Sequence, residues 1–457
     1  HLAGAGEDPY IGENSTDYRW MNDRAWWLRK VVPGGPEELS AHEHARVVFE
    51  GVDHDVTAFV NGVRLADHRG TLGGPVVDIT EQLRSGDVEL LLRFEPRGTG
   101  YGREKGMPGE LVKAETFSTW VNNPDLMTTG VWRPVRLVRS AAWTVERPFV
   151  WTRSLEADHA ELGIRLETQH AAHEPHLRSV RRHGSFPPVR DPEIGAVEPF
   201  DAELDITITD ATGSVVHTGS VPTSIVSHRQ WHEVTVTVSD PDVWTVHTLG
   251  SSNLYTLTAT LRVDGAEVDT VESTFGIRTV EFVTSRAARV TDRRSSWLPV
   301  VNGQARALRG MNWMPLDLLA VAPAKTRWFL ERARDAGVEL IRVWGGGPTE
   351  SDEFFDLCDR FGILVMQDFP YNTFFEGHDL DVALWEDQLV WTVQRLRNHP
   401  ALAVWCGGNE FDPYHPANAG VVGVMERTTS DFDGSRTFLR SSTDGGDVHP
   451  YPEADST

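Results

Sequence analysis

Apolar positions along this chain change period near residue 281, and the change divides it. Before that point they come in short β-rich runs or alternate with polar residues. Trp26–Val31, Ala45–Glu50, Thr57–Val60 and Val88–Phe94 are runs of this kind. Such patterning predicts strands with one buried face. Asn61-Gly62, set between apolar runs, predicts a two-residue hairpin turn. The spacing predicts a jelly-roll β-sandwich over residues 1–140. Glu203–Thr209 and Glu233–Val238 alternate at period two, which predicts a second sandwich over residues 141–280. Residues 169–198 interrupt it with His170, His173, His176 and His183. These lack flanking acids and regular ligand spacing, so they read as a solvated insertion and not as a metal site.

From residue 281 the chain alternates apolar runs with helix-period segments. Met311–Pro315 follows a strand-like approach. Strands are predicted at 339–344, 363–368, 401–406 and near 436–441, with helices near 324–336, 350–360, 381–397 and 417–428. Alternation of this kind predicts a parallel sheet. A polar residue or Trp at each strand end favours a (β/α)8 TIM barrel over an open sheet. The chain therefore reads as multidomain β plus α/β, with residues 281–457 as the N-terminal part of a barrel. About five strands cannot close a barrel of eight, so a partial barrel with one open side is the expectation.

The chemistry gathers in Asn398–Glu410, where an apolar strand ends in Gly407-Gly408-Asn409-Glu410. A carboxylate at the C-terminal end of a barrel strand is a general acid/base candidate and is expected in a pocket. The competing reading is a buried Glu satisfied by an Arg. Asn312, Arg342, Trp344, Asp368, Asn409, Glu410 and His449 all fall at or just past predicted strand ends and would converge on one face.

Charge and cysteine usage narrow the partners. Acidic residues outnumber basic ones 67 to 43, a net charge of −24, which argues against nucleic acid or an anionic membrane. No run of about 18 apolar residues predicts a transmembrane helix. Cys358 and Cys406 fall in predicted buried elements and read as free core thiols. The chain opens at His1 without a signal-peptide pattern; it reads as trimmed, and a cytoplasmic location is the expectation. No phosphate loop, nucleotide fingerprint or metal cluster appears, so neither a cofactor nor a metal is expected.

Asn398-His399-Pro400, a strand, then Asn409-Glu410 resembles the acid/base signature of glycoside hydrolase family 2. Trp405-Cys406-Gly407-Gly408-Asn409-Glu410 resembles its β-mannosidase branch, as do Arg342–Gly347, Cys358–Phe369 and Gly446–His449, in the same order. Asp8-Pro9-Tyr10, Phe49–Asp53, Val60–Gly62, His68–Gly70 and Thr129–Val135 resemble the family's N-terminal sugar-binding-like domain. Asn253–Ala259 and Phe275–Glu281 resemble strands closing its immunoglobulin-like domain.

The resemblance implies a retaining, exo-acting glycoside hydrolase cleaving terminal β-linked sugars, β-mannosides first. It makes Glu410 the general acid/base and Asn409 the ligand of the sugar 2-hydroxyl at subsite −1. Trp344 would wall the sugar, and Arg342 would order neighbouring carboxylates. Asp368 is either a sugar ligand or the ion-pair partner of Arg342. The nucleophilic Glu of the family ends the seventh strand and is expected beyond Thr457, so no residue is assigned to it and the 457 residues alone are expected to be inactive. One departure stands out. The branch's W-D-W-G-P loop, whose Asp reaches substrate, reads Trp120-Val121-Asn122-Asn123-Pro124 here. Val121 keeps open a β-glucosaminidase or β-galactosidase of the same family, beside a carbohydrate-binding protein without turnover. On every reading the partner is a β-glycoside or oligosaccharide.

Overall fold

Alternating side chains build two antiparallel sandwiches, and fully apolar strands build a parallel sheet. A computed structural model describes residues 6–35, 37–40, 42–96, 128–171, 196–284, 297–317, 323–372 and 380–442. In the first sandwich one sheet orders strands Trp26–Val32, Val88–Phe94, Val56–Val60 and Val63–His68. The facing sheet orders Val76–Asp78, His44–Phe49 and Val135–Ser140. Val88–Phe94 alternates buried and half-buried residues along its whole length, the signature of one face in the core. Val60 pairs with Val63 across Asn61-Gly62, both at positive φ (48° and 81°), as a two-residue hairpin loop requires.

The second sandwich packs a sheet of Trp143–Leu155, His159–His170 and Arg229–Ser239 against one of Val215–Ser227, Ala196–Thr209, Tyr255–Val263 and Ala266–Phe275. The predicted strand Phe275–Glu281 is broken in two. Ala266–Phe275 ends at Phe275, and a new strand starts at Val280. A Cβ on Gly276 would lie 2.8 Å from Pro400 and 2.9 Å from Trp244, so this segment presses against the third unit instead of extending the sheet. Arg278 then donates to the carbonyls of Pro400 (2.8 Å) and Leu402 (2.5 Å).

In the third unit, strands Gly310–Trp313, Leu340–Val343, Leu364–Asp368, Leu402–Cys406 and Thr437–Leu439 lie side by side in chain order, every pairing parallel. Helices Pro323–Asp335, Asp352–Phe361, Val382–Leu396 and Ala419–Phe432 connect them. Ser351 and Asp381 cap two of these helices by accepting from Phe354 N and Leu384 N. Gly362 ends Asp352–Phe361 in the left-handed conformation at φ 62°. Among the described residues the edge strands Gly310–Trp313 and Thr437–Leu439 do not pair with each other. The first sandwich is anchored to this unit by Arg133, which donates to the carbonyls of Thr349 (2.8 Å) and Glu350 (3.1 Å).

Candidate active site

Strand Leu402–Cys406 is buried at every residue, and its C-terminal end has no room for side chains. A Cβ on Gly407 would lie 2.0 Å from the Arg440 carbonyl oxygen, and one on Gly408 (φ 148°) 2.2 Å from that of Tyr371. Two glycines are therefore what lets the chain leave the strand here. Asn409 N–H then donates to the Tyr371 carbonyl at 2.8 Å. Glu410 takes φ 54°, a left-handed conformation uncommon for a residue with a side chain.

One guanidinium organises the floor of this end. Arg342 Nη2–H donates to Asp368 Oδ2 at 2.6 Å and to Asn409 Oδ1 at 2.9 Å, while Nε–H donates to Asp368 Oδ1 at 3.2 Å. Gly345 N–H also donates to Asp368 Oδ2, at 3.0 Å. All three side chains are buried. Burial raises the Asp368 pKa, with Arg342 opposing. On Arg342 burial works against the charge, but Asp368, with a smaller contribution from Glu410, outweighs it and raises the pKa. Burial also pushes the Cys406 thiol well up, and Cys406 Sγ lies 3.5 Å from the Gly408 carbonyl oxygen.

The buried carboxylate satisfied by an arginine is thus Asp368, and Glu410 is exposed. The expected enclosure of Glu410 is not what the described residues provide, because it stands past both glycines at the mouth of the sheet. Trp344 is half-buried; its ring lies across Gly346, where a Cβ would sit 2.1 Å from it. Asn312 shares the register of Arg342 on the edge strand and is exposed. His449, Val121 and Asn122 lie outside the described residues, as do His173, His176 and His183.

The two ends of the Asn398–Glu410 stretch do different work. Asn398 accepts from Val150 N–H (2.9 Å) and donates to the Pro148 carbonyl (2.6 Å) and Ser273 Oγ (2.8 Å), so it joins the second sandwich to the third unit. His399 Nδ1 meets Asp359 Oδ2 at 2.6 Å, and Ala401 N–H donates to Asp359 Oδ1 at 2.9 Å. Asp356, Asp359 and His399 form a cluster there, at the strand end opposite Glu410. Ser441 and Ser442 were invisible to sequence reasoning: both are fully buried and hydrogen-bonded to residues 408–411. Two serines after a short strand look like an ordinary loop, and no local signal marks them.

Residues 1–133 match the family described as glycosyl hydrolase 2 galactose-binding domain-like, and residues 194–278 match glycosyl hydrolases family 2. Beta-mannosidase B of Aspergillus niger is 27% identical over 427 residues, which cover 89% of this chain and 46% of that protein. The chain is thus similar to glycoside hydrolase family 2, and β-mannosidase-like. It spans about half the length of the curated family 2 relatives it matches, 46% for the Aspergillus niger protein. In fold the chain is similar to the β-D-mannosidase of Dictyoglomus thermophilum, with a TM-score of 0.78 at 24% identity over 96% of this chain and 54% of that one. It is likewise similar to an exo-chitosanase of Amycolatopsis orientalis, with a TM-score of 0.74 at 21% identity over 97% of this chain and 47% of the other.

Proposed function

We propose that this chain supplies the acid/base side of a retaining, exo-acting glycoside hydrolase for terminal β-linked sugars, β-mannosides first. On this reading residues 1–140, 141–280 and 281–457 are a sugar-binding-like jelly roll, an immunoglobulin-like sandwich and the first part of a (β/α)8 barrel. The observation that carries the reading is the hold of Arg342 on Asp368 and Asn409 together, beside Glu410 and at the C-terminal ends of parallel strands. That end is where (β/α)8 enzymes place their chemistry. Asn409, pinned through its Oδ1, keeps its amide N–H groups to donate to a sugar hydroxyl.

Glu410 then protonates the glycosidic oxygen as the bond from C1 to that oxygen breaks and a second carboxylate bonds to C1. In the second half, Glu410, now ionised, takes a proton from water as the water oxygen bonds to C1 and the second carboxylate leaves. No residue of this chain is assigned to that second carboxylate.

The test is Glu410→Gln in the full-length protein, assayed on aryl β-mannosides of graded leaving-group acidity, with β-glucosaminides and β-galactosides alongside. The general-acid role requires a large loss on poor leaving groups and little on activated ones. Equal loss on both removes Glu410 from that role. Carbohydrate binding with no turnover of any glycoside by the unmodified full-length protein moves the scaffold to the non-catalytic class.

A further inference from the structure

We infer that Ser442 is a positioning residue that sets the backbone turn presenting the Glu410 carboxyl. The inference rests on the acid/base reading of Glu410. It begins from that residue's left-handed φ of 54°. A non-glycine residue persists there only where its surroundings over-determine it. Ser442 makes two hydrogen bonds to the turn from the neighbouring strand. Its Oγ accepts from Glu410 N–H at 2.9 Å, and its own N–H donates to the Gly408 carbonyl at 3.0 Å.

Both bonds are firmly based. Ser442 has 0% of its surface exposed and follows strand Thr437–Leu439, whose Leu439 pairs with Cys406 and accepts from Gly407 N–H at 2.8 Å. On the far side of Glu410, Ser441 Oγ–H donates to the Phe411 carbonyl at 2.8 Å. Residues 407–411 are therefore tied to 439–442 before and after Glu410. The hydroxyl of Ser442 touches the Glu410 backbone itself. Without it, that N–H loses its acceptor on the neighbouring segment, and the turn is freer to relax toward the ordinary negative-φ region. Such a relaxation swings the Cα–Cβ direction of Glu410 away from the glycosidic oxygen.

The closing experiment compares Ser442→Ala, Ser442→Thr and Glu410→Gln in the full-length protein. A misplacement of about 1 Å costs on the order of 100-fold in rate. Ser442→Ala is therefore expected to lose roughly 10- to 100-fold in kcat on poor leaving groups, and only a few-fold on activated aryl glycosides. Ser442→Thr keeps Oγ and should restore kcat on poor leaving groups toward that of the unmodified protein. A uniform loss across leaving groups, or no loss, in Ser442→Ala overturns the inference while a selective loss in Glu410→Gln leaves the acid/base reading standing. A uniform loss in Glu410→Gln overturns both. Should the alanine variant not fold, Ser442→Cys, which weakens the acceptor but keeps the side chain's size, takes its place in the same comparison.

Discussion

Arg342 and Asp368 meet side-on in the interior, Nε and Nη2 each facing one carboxylate oxygen at 3.2 and 2.6 Å. They sit on adjacent parallel strands, Leu340–Val343 and Leu364–Asp368, so the pair also sets how the two strand ends meet. The same Nη2 holds Asn409 from a third strand end.

Breaking this pair from one side leaves an unmatched buried charge, which costs about 3–5 kcal/mol. Arg342→Met and Asp368→Ala should each lower the urea midpoint of the unit that contains them. Arg342→Lys should not rescue, since an ammonium lacks the planar fork that spans both oxygens and Asn409. A double-mutant cycle on Arg342 and Asp368 should return a coupling energy well above the error of the measurement. Additive losses would mean the pair is not a unit.

Acid should weaken the second sandwich through Glu167, which is buried and held by Arg229 at 2.7 Å and Arg147 at 2.6 Å. Burial alone would raise its pKa; the two guanidinium groups outweigh it and bring it from 4.5 down to about 2. Because the folded state binds this proton less tightly than the unfolded one, the group's stabilisation is complete above about pH 4.5. It is lost as pH falls toward about 2, and a difference of that size corresponds to about 3 kcal/mol. Urea unfolding at about pH 6, 4 and 3 should show this fall, and Glu167→Gln should lose stability at the high end and flatten the profile. A Glu167→Gln profile as steep as that of the unmodified protein would place the acid sensitivity elsewhere.

Specificity should respond at Val121, which stands where the resemblance calls for a sugar-binding Asp. A buried hydrogen bond to a hydroxyl is worth on the order of 1–3 kcal/mol, or roughly 10- to 100-fold. In the full-length protein, Val121→Asp should raise kcat/KM for β-mannosides over β-glucosides by about that factor. Tight selectivity for β-mannosides already present with Val121 would assign discrimination to another residue.

Strand and helix assignments were legible wherever one local rule acted alone. Alternation announced Val88–Phe94, Asn61-Gly62 announced its hairpin, and unbroken apolar runs announced Leu364–Asp368 and Leu402–Cys406. Residue chemistry at strand ends picked out Arg342, Asp368, Asn409 and Glu410, because a charged or amide side chain after an apolar run has few structural excuses. What local rules could not supply is partnership. Phe275–Glu281 reads as one strand until Gly276 is seen against Pro400 and Trp244. Asp368 reads equally as a sugar ligand or as the partner of Arg342 until it is found buried against that arginine, with Glu410 exposed beyond it. Ser442 is indistinguishable from any loop serine until residue 410 is folded against it, 32 positions apart in the chain. By itself the sequence determined periodicity and residue type, which are properties of neighbours along the chain. Tertiary structure alone decided which buried donor meets which acceptor, because that choice depends on strand register and on contacts between distant segments.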